Sequence, residues 1–395
     1  MKICIIAPVV IPILGNEQEY GGTERVVSLT SEELVKRGHD VYIFASGDSR
    51  TYAKLVATVP EALGQGVSFR KEKEANKRAY EMAVAERPDV IWDHTLALHA
   101  QRLLSGKSKY ILRVNTELVK SKIIDTGEIP IVHTLHGPAS NRMPQVVRAL
   151  SEAGHYFVSI SKDQARCFLP YLDIRQHLGT VYNAVSMEEF TPNESRKSDY
   201  LLWLGRYSME KGAHIAIAVA HKLNMPLKLA GKATERHEKS YFNKFVKPIL
   251  GAKDKVLGMV SAEEKYRLLK NAKAVLMTNT WAEPFGIVAA EAMASGTPVV
   301  GPASGSLTEL IDQAGILVPV DDLGLNENDT TITSAQKKYI GRIAERMPEI
   351  KKIPSSVPRK RAEFLFSPAH NADGYEEAFL KAMYLRTCLK SHRKY

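Results

Sequence analysis

One pattern limits what this chain can become: a short apolar run, a turn, a segment of helical periodicity, then another short apolar run. "KICIIA" opens it. "GTERVVSLTSEELVKRG" follows, with Val26, Val27, Leu29, Leu34 and Val35 on a helical period and Gly38 to stop it. "HDVYIFAS", "PDVIWDH", "IPIVHTLHG", "HYFVSIS" and "GTVYNAV" continue as short strands. Such alternation predicts parallel strands joined by right-handed helical crossovers, an open α/β sheet. Around residues 184–199 the pattern breaks into the polar "MEEFTPNESRKSD", with Pro192 inside it, and this reads as an inter-domain linker. A second series then starts, with "YLLWLGR", "PLKLAG", "KVLGMV", "AKAVLMT", "TPVVGP" and "GILVP" as strands. Between them "SAEEKYRLLKNA" carries Ser261 and Glu264 in capping-box spacing. The chain's 395 residues fit two domains of roughly 180 each, and two open sheets of this kind bind ligands at the carboxyl ends of their strands.

Composition narrows the class. At 44% apolar and 25% charged residues the chain is a soluble globular protein. Cys4, Cys167 and Cys388 share no metal-ligand or redox spacing, which suits a reducing compartment. The opening "MKICIIAPVVIPILG" is broken by Pro8 and Pro12 and reads as a first strand rather than a secretion signal. No run approaches the about 18 apolar residues of a membrane span. These features point to a cytoplasmic enzyme. The net charge of +10 is uneven, with 14 Lys and Arg against 6 Asp and Glu in residues 332–395 but 23 against 22 in residues 1–190. The basic end suits peripheral contact with an acidic membrane surface or an anionic acceptor, or is simply a solvated face. Nucleic acid is disfavoured, because zinc-finger spacing and aromatic-plus-basic stacking motifs are both missing.

Four stretches carry chemistry. In "EPFGIVAAE", Pro284 suits the first position of a helix that Gly296 and Pro298 would end. Glu283 then lies just before that helix, and Glu291 about two turns further in. Phe285, Gly286 and Ile287 would leave backbone N–H groups aimed out of its end. Two carboxylates there suit the hydroxyls of a sugar and a ribose; a capped surface helix with a chance second glutamate is the plainer alternative. "YGGTE" puts Gly21 and Gly22 in the first strand–helix turn, where backbone can approach a ligand closely, without the six-residue dinucleotide fingerprint. In "LGRYSMEKG", Arg206 and Lys211 follow a strand and could neutralise a diphosphate, or be merely solvated. "WDHT" sets Asp93 and His94 at one strand end, and "HTLHGP" sets His136 at another, with His133 deeper and more structural. No D-x-D pair is found, so phosphate charge met by side-chain cations rather than a metal is the consistent reading.

Together these stretches resemble the retaining nucleotide-sugar glycosyltransferases of family 4, which have the GT-B fold. The likeness covers nearly the whole chain: the Gly pair, "GRYSMEKG", "EPFGIVAAEAMASGTPVVG" and "GSLTELI" stand in the family's order. It implies two Rossmann-like domains facing a cleft, an acceptor-side domain over residues 1–190 and a donor-side domain over 191–367. A final helix, about 368–395, returns to the first domain. By this resemblance Gly22, Arg206 and Lys211 meet the donor diphosphate, Glu283 the transferred sugar, and Glu291 the ribose, with Phe285, Gly286 and Ile287 between. His136 matches the family's histidine beside the reacting sugar and, with Glu283, is a catalytic candidate; Asp93 and His94 are acceptor-side candidates. The implied reaction moves a sugar from a nucleotide-diphosphate sugar, a UDP-sugar first among them, to a carbohydrate, lipid-linked or small-molecule acceptor. Configuration is retained, with no metal and no bound cofactor. The sequence "NAVS" (Asn183–Ser186) departs from the family's Asn-Gly-Val-Asp and leaves the local turn open. A nucleotide-sugar 2-epimerase on the same fold and a non-catalytic nucleotide-sugar-binding protein are the rivals; the full set of Arg206, Lys211, Glu283, Glu291 and His136 argues against the second.

Overall fold

The computed structural model describes residues 1–15, 21–64, 66–96, 129–140, 143–193, 198–324 and 332–391. It divides into two compact units, Met1–Ala184 with Pro368–Tyr395, and Val185–Ser367. The first unit holds seven strands: β1 (Lys2–Ile6), β2 (Asp40–Ser46), β3 (Lys54–Val59), β4 (Val90–Asp93), β5 (Ile131–Leu135), β6 (Tyr156–Ser159) and β7 (His177–Thr180). They pair in the order β3-β2-β1-β4-β5-β6-β7, and each pairing is parallel. Within β1 the side chains alternate between two apolar layers. Ile3 and Ile5 face one core, with Val27 and Leu34 of the helix Gly22–Lys36. Cys4 and Ile6 face another, with Ala79 and Ala83 of the helix Phe69–Ala85. A strand apolar on both faces is what a parallel sheet covered on both sides requires.

The second unit repeats the design with β8 (Leu201–Leu204), β9 (Leu227–Ala230), β10 (Asp254–Gly258), β11 (Ala274–Leu276), β12 (Val299–Pro302) and β13 (Gly315–Val318). Their order is β10-β9-β8-β11-β12-β13, again parallel throughout. Each sheet reverses its direction of growth once, between β1 and β4 and between β8 and β11. At such a reversal the loops leaving the two strands run to opposite faces and open a crevice at the carboxyl ends. The helix Pro368–Ser391 packs Ala372, Tyr375, Phe379 and Ala382 into the first unit's core. The α/β class, the two Rossmann-like sheets and the returning helix are therefore present.

Some local expectations change. "KLVATV" forms β3, unforeseen because it is a half-exposed edge strand flanked by polar residues. In "GTVYNAV" only Gly179 and Thr180 belong to a strand, β7, which starts two residues earlier at His177. Ser261 accepts from the Glu264 N–H, but Glu264 turns its carboxylate to Arg267 instead of completing the box. Among the described residues no helix is long and apolar enough to cross a membrane.

Candidate functional site

In the second unit, β8 and β11 flank the sheet reversal, and their outgoing loops hold the predicted residues. After β8 the chain turns through Arg206 into the short 3-10 turn Met209–Lys211. Gly212 follows at φ 65°, with an added Cβ 2.0 Å from the Thr278 carbonyl oxygen, so only glycine lets these loops lie this close. Lys211 Nζ then reaches Glu283 Oε2 at 2.6 Å. The same oxygen accepts from Asn279 Nδ2 and, at 3.1 Å, from Trp281 Nε1. Three donors converge on this one oxygen and fix the Glu283 side chain in place. Lys211 also stands 5.4 Å over the Trp281 ring.

The helix after Glu283 starts later than Pro284 suggests. It spans Ile287–Ala294, because Gly286 takes φ 81° and caps it from a left-handed conformation. Gly296, at φ 65°, lies just past its end as expected. No side chain caps the amino end, which leaves it suited to an anionic or polar group. Phe285 turns its ring inward, edge-on to Phe366 at 5.6 Å, so only its backbone is placed for a ligand. "GSLTELI" braces this loop: the Ser306 N–H donates to the Glu283 carbonyl and its hydroxyl to the Phe285 carbonyl. Glu291, buried on the helix, receives Lys265 Nζ at 2.8 Å, and Lys265 in turn lies over the rings of Phe190 and Tyr266.

Arg206 does not stand beside Lys211 as a bare pair of cations. Its guanidinium is 3.3 Å from Glu210 and 3.9 Å from the fully buried Glu238. Burial pushes the Glu238 carboxyl up, but the N–H groups of Glu235 and Thr234, with Lys232 and Arg206 nearby, outweigh that and hold it below its usual range.

In the first unit, Gly22 is the first residue of its helix, behind Gly21 at φ 113°, and no side chain caps that end. Glu24, two residues on, is buried, and desolvation pushes its carboxyl up to about 7. Past the sheet reversal, Asp93 ends β4 and is engaged by the N–H and hydroxyl of Thr95 and by His133 Nδ1 at 2.8 Å. Burial raises the Asp93 carboxyl, yet these bonds win and hold it well below the carboxylate range. His133 Nε2 continues to His155 Nδ1 at 2.7 Å, so Asp93 is tied into a buried network and offers little to an acceptor. His94 is fully buried, and its Nδ1 lies 2.8 Å from Nε2 of the partly exposed His136. Desolvation lowers both imidazoles, His136 to about 4, so both are neutral at pH 7.

The structure thus gathers Lys211 with Glu283, and His94 with His136. Sequence reading missed Asn279, Trp281 and Lys265 around the two glutamates, and His155 behind His133. Trp281 and Asn279 stood in plain view before Glu283. Lys265 had no local signal, since it meets Glu291 only through packing of two helices.

Comparison with known proteins decides the family. Residues 20–189 match the model of Glycosyltransferase Family 4, and residues 187–323 that of Glycosyl transferases group 1. An uncharacterized glycosyltransferase of Methanocaldococcus jannaschii is 34% identical over 318 residues, 71% of this chain and 76% of that one. The chain belongs to the family 4-type glycosyltransferases. Among solved structures, this glycosyltransferase is similar to one involved in avilamycin A biosynthesis, with a TM-score of 0.67 at 22% identity over 97% of this chain and 98% of that one. It is also similar to an Anabaena protein crystallised with UDP and glucose, with a TM-score of 0.65 at 18% identity over 95% and 98%. At such identities these likenesses carry the GT-B fold.

Proposed function

We propose that this glycosyltransferase takes its sugar from a nucleotide-diphosphate sugar, a UDP-sugar first, and passes it to an acceptor hydroxyl with retained configuration and no metal. The observation that carries this reading is Glu283, a carboxylate fixed by three donors at the mouth of the helix Ile287–Ala294, beside Lys211. Its charge suits sugar hydroxyls, and a positive charge growing at the anomeric carbon strengthens that attraction. Lys211 and Arg206 suit the diphosphate, whose departure they assist as it gains charge. Glu291 suits the ribose, Gly22 a donor phosphate, and His136 the sugar. The acceptor's proton goes to a donor phosphate oxygen, so no enzyme base is required. The Anabaena relative's UDP and glucose support the choice of carrier.

The test incubates the protein with α-linked UDP-sugars and a panel of carbohydrate, lipid-linked and small-molecule acceptors in saturating EDTA. The product is read by proton NMR. An α-linked product, at a rate within about twofold of that without EDTA, is expected from a side-chain-neutralised diphosphate. A β-linked product overturns retention, activity restored only by Mg²⁺ or Mn²⁺ overturns metal independence, and a changed sugar released without acceptor makes the protein an epimerase.

A further inference from the structure

We infer that His94 is a positioning residue that sets the tautomer of His136, so that His136 offers an N–H at Nδ1 to the substrate. The inference rests on the reading of His136 as the histidine that meets the sugar. His94 Nδ1 and His136 Nε2 lie 2.8 Å apart, so one nitrogen carries the hydrogen and the other accepts it. Both rings are neutral, since burial lowers each of them, and each therefore holds one hydrogen.

His94 Nε2 decides between the two arrangements. That atom is buried and has no hydrogen-bond partner among the described residues. If His136 Nε2 donated, His94 would carry its own hydrogen on Nε2, leaving a buried N–H unpaired. If His94 Nδ1 donates, only a lone pair at Nε2 goes unmatched. In the main chain, orphaned buried N–H donors are rarer than under-satisfied acceptors, and the same preference carried to the ring makes His94 Nδ1 the donor. His136 Nε2 then accepts, and its hydrogen must sit on Nδ1. His136 is partly exposed at the carboxyl end of β5, and its Nδ1 has no partner among the described residues. Trp92 holds the His94 ring in place, with centroids 4.3 Å apart, and is itself fixed by its Nε1–H bond to Thr134 Oγ1. A fixed N–H at His136 Nδ1 can donate to a sugar or acceptor oxygen, including one that is losing its own proton; the other tautomer would present only a lone pair there and could accept but not donate.

Nitrogen-15 NMR of the full chain labelled at histidine tests this directly, with His136→Gln used to assign the ring. The expected spectrum shows a pyrrole-type Nδ1 and a pyridine-type Nε2 for His136; the reverse overturns the proposal without any activity measurement. His94→Asn keeps a donor where Nδ1 stands and should keep that spectrum and stay within about threefold in kcat/KM, whereas His94→Leu should lose about tenfold or more, mainly in kcat. His94→Leu with the tautomer unchanged also overturns it. If that variant does not fold, the wild-type spectrum and His94→Asn still decide. A correct tautomer in a protein whose His136→Gln variant has wild-type kinetics would keep this inference's geometry and sink the role of His136 instead.

Discussion

The two glutamates of "EPFGIVAAE" look alike in sequence and sit in unlike surroundings. Glu283 is bound through one oxygen by Lys211, Asn279 and Trp281, whereas Glu291 is bound by Lys265 alone among the ion pairs of the described residues. Glu283→Gln can keep an amide oxygen toward the three donors, so its loop should hold while its charge is lost. Its effect should fall on turnover, with kcat down about tenfold or more and affinity for free UDP nearly unchanged, because only the transition state calls on that charge. Glu291→Gln leaves Lys265 over two rings without its carboxylate, and should raise the donor KM and weaken UDP about equally. Calorimetry with UDP and steady-state kinetics distinguish the two, and the reverse pattern would exchange their assignments. The sequence could announce both carboxylates, since one short motif holds them. It could not announce the His94–His136 and His133–His155 pairs, because each joins residues on different strands that only the sheet order brings together.

At the scale of elements, the strands were legible where both sheet faces are covered. β10, an exposed edge strand, shows only the short apolar core of "KVLGMV", whereas β1, β2, β8, β11 and β12 stand out as dense apolar runs. β3 did not, because an edge strand with exposed positions has no such run. The helix after Glu283 was legible in its existence and its end but not its start, since a positive φ at Gly286 overrides the preference of Pro284 for a first helical position. Loop crossings depend on further glycines that carry no visible motif. An added Cβ at Gly231 would lie 1.7 Å from the Gly205 carbonyl oxygen, in the loop that leads to Arg206. Gly231→Ala should therefore force backbone apart and cost about 1–3 kcal/mol or more. Gly341, inside the helix Ser334–Arg346, meets open space instead, and Gly341→Ala should stabilise by about 0.5–1 kcal/mol. Urea unfolding measures both, and equal midpoints for the two variants would contradict the close approach at Gly231.

At the scale of the whole molecule, the chain leaves the first unit once and comes back with its last helix. The polar break near residue 190 and the long helical pattern at the end made that division readable, although the return itself came only by resemblance. The physical reason for the return is the core it completes. Tyr375 and Phe379 are fully buried beside Trp92, and the Tyr375 hydroxyl meets Thr134 Oγ1 at 3.0 Å. Asn371 joins Thr30 to the Tyr182 carbonyl, and Gly374 lets the helix approach Val181 so closely that an added Cβ would lie 2.9 Å from it. Arg37 and His39 both pair with Glu376. The second unit's main core, by contrast, is drawn from Leu201 to Ile353. Phe379→Ala should cost about 3–5 kcal/mol, a large share of the roughly 5–15 kcal/mol that holds a protein folded. Ending the chain at Ser367 should go further and unfold the first unit while the second stays folded, since none of the second unit's core is removed. Hydrogen exchange on the shortened chain should show β1, β4 and β5 unprotected and β8, β11 and β12 as protected as before. Protection kept in β1 and β4 would show that the first unit folds without the helix, and loss in both sheets would show that the two units fold as one.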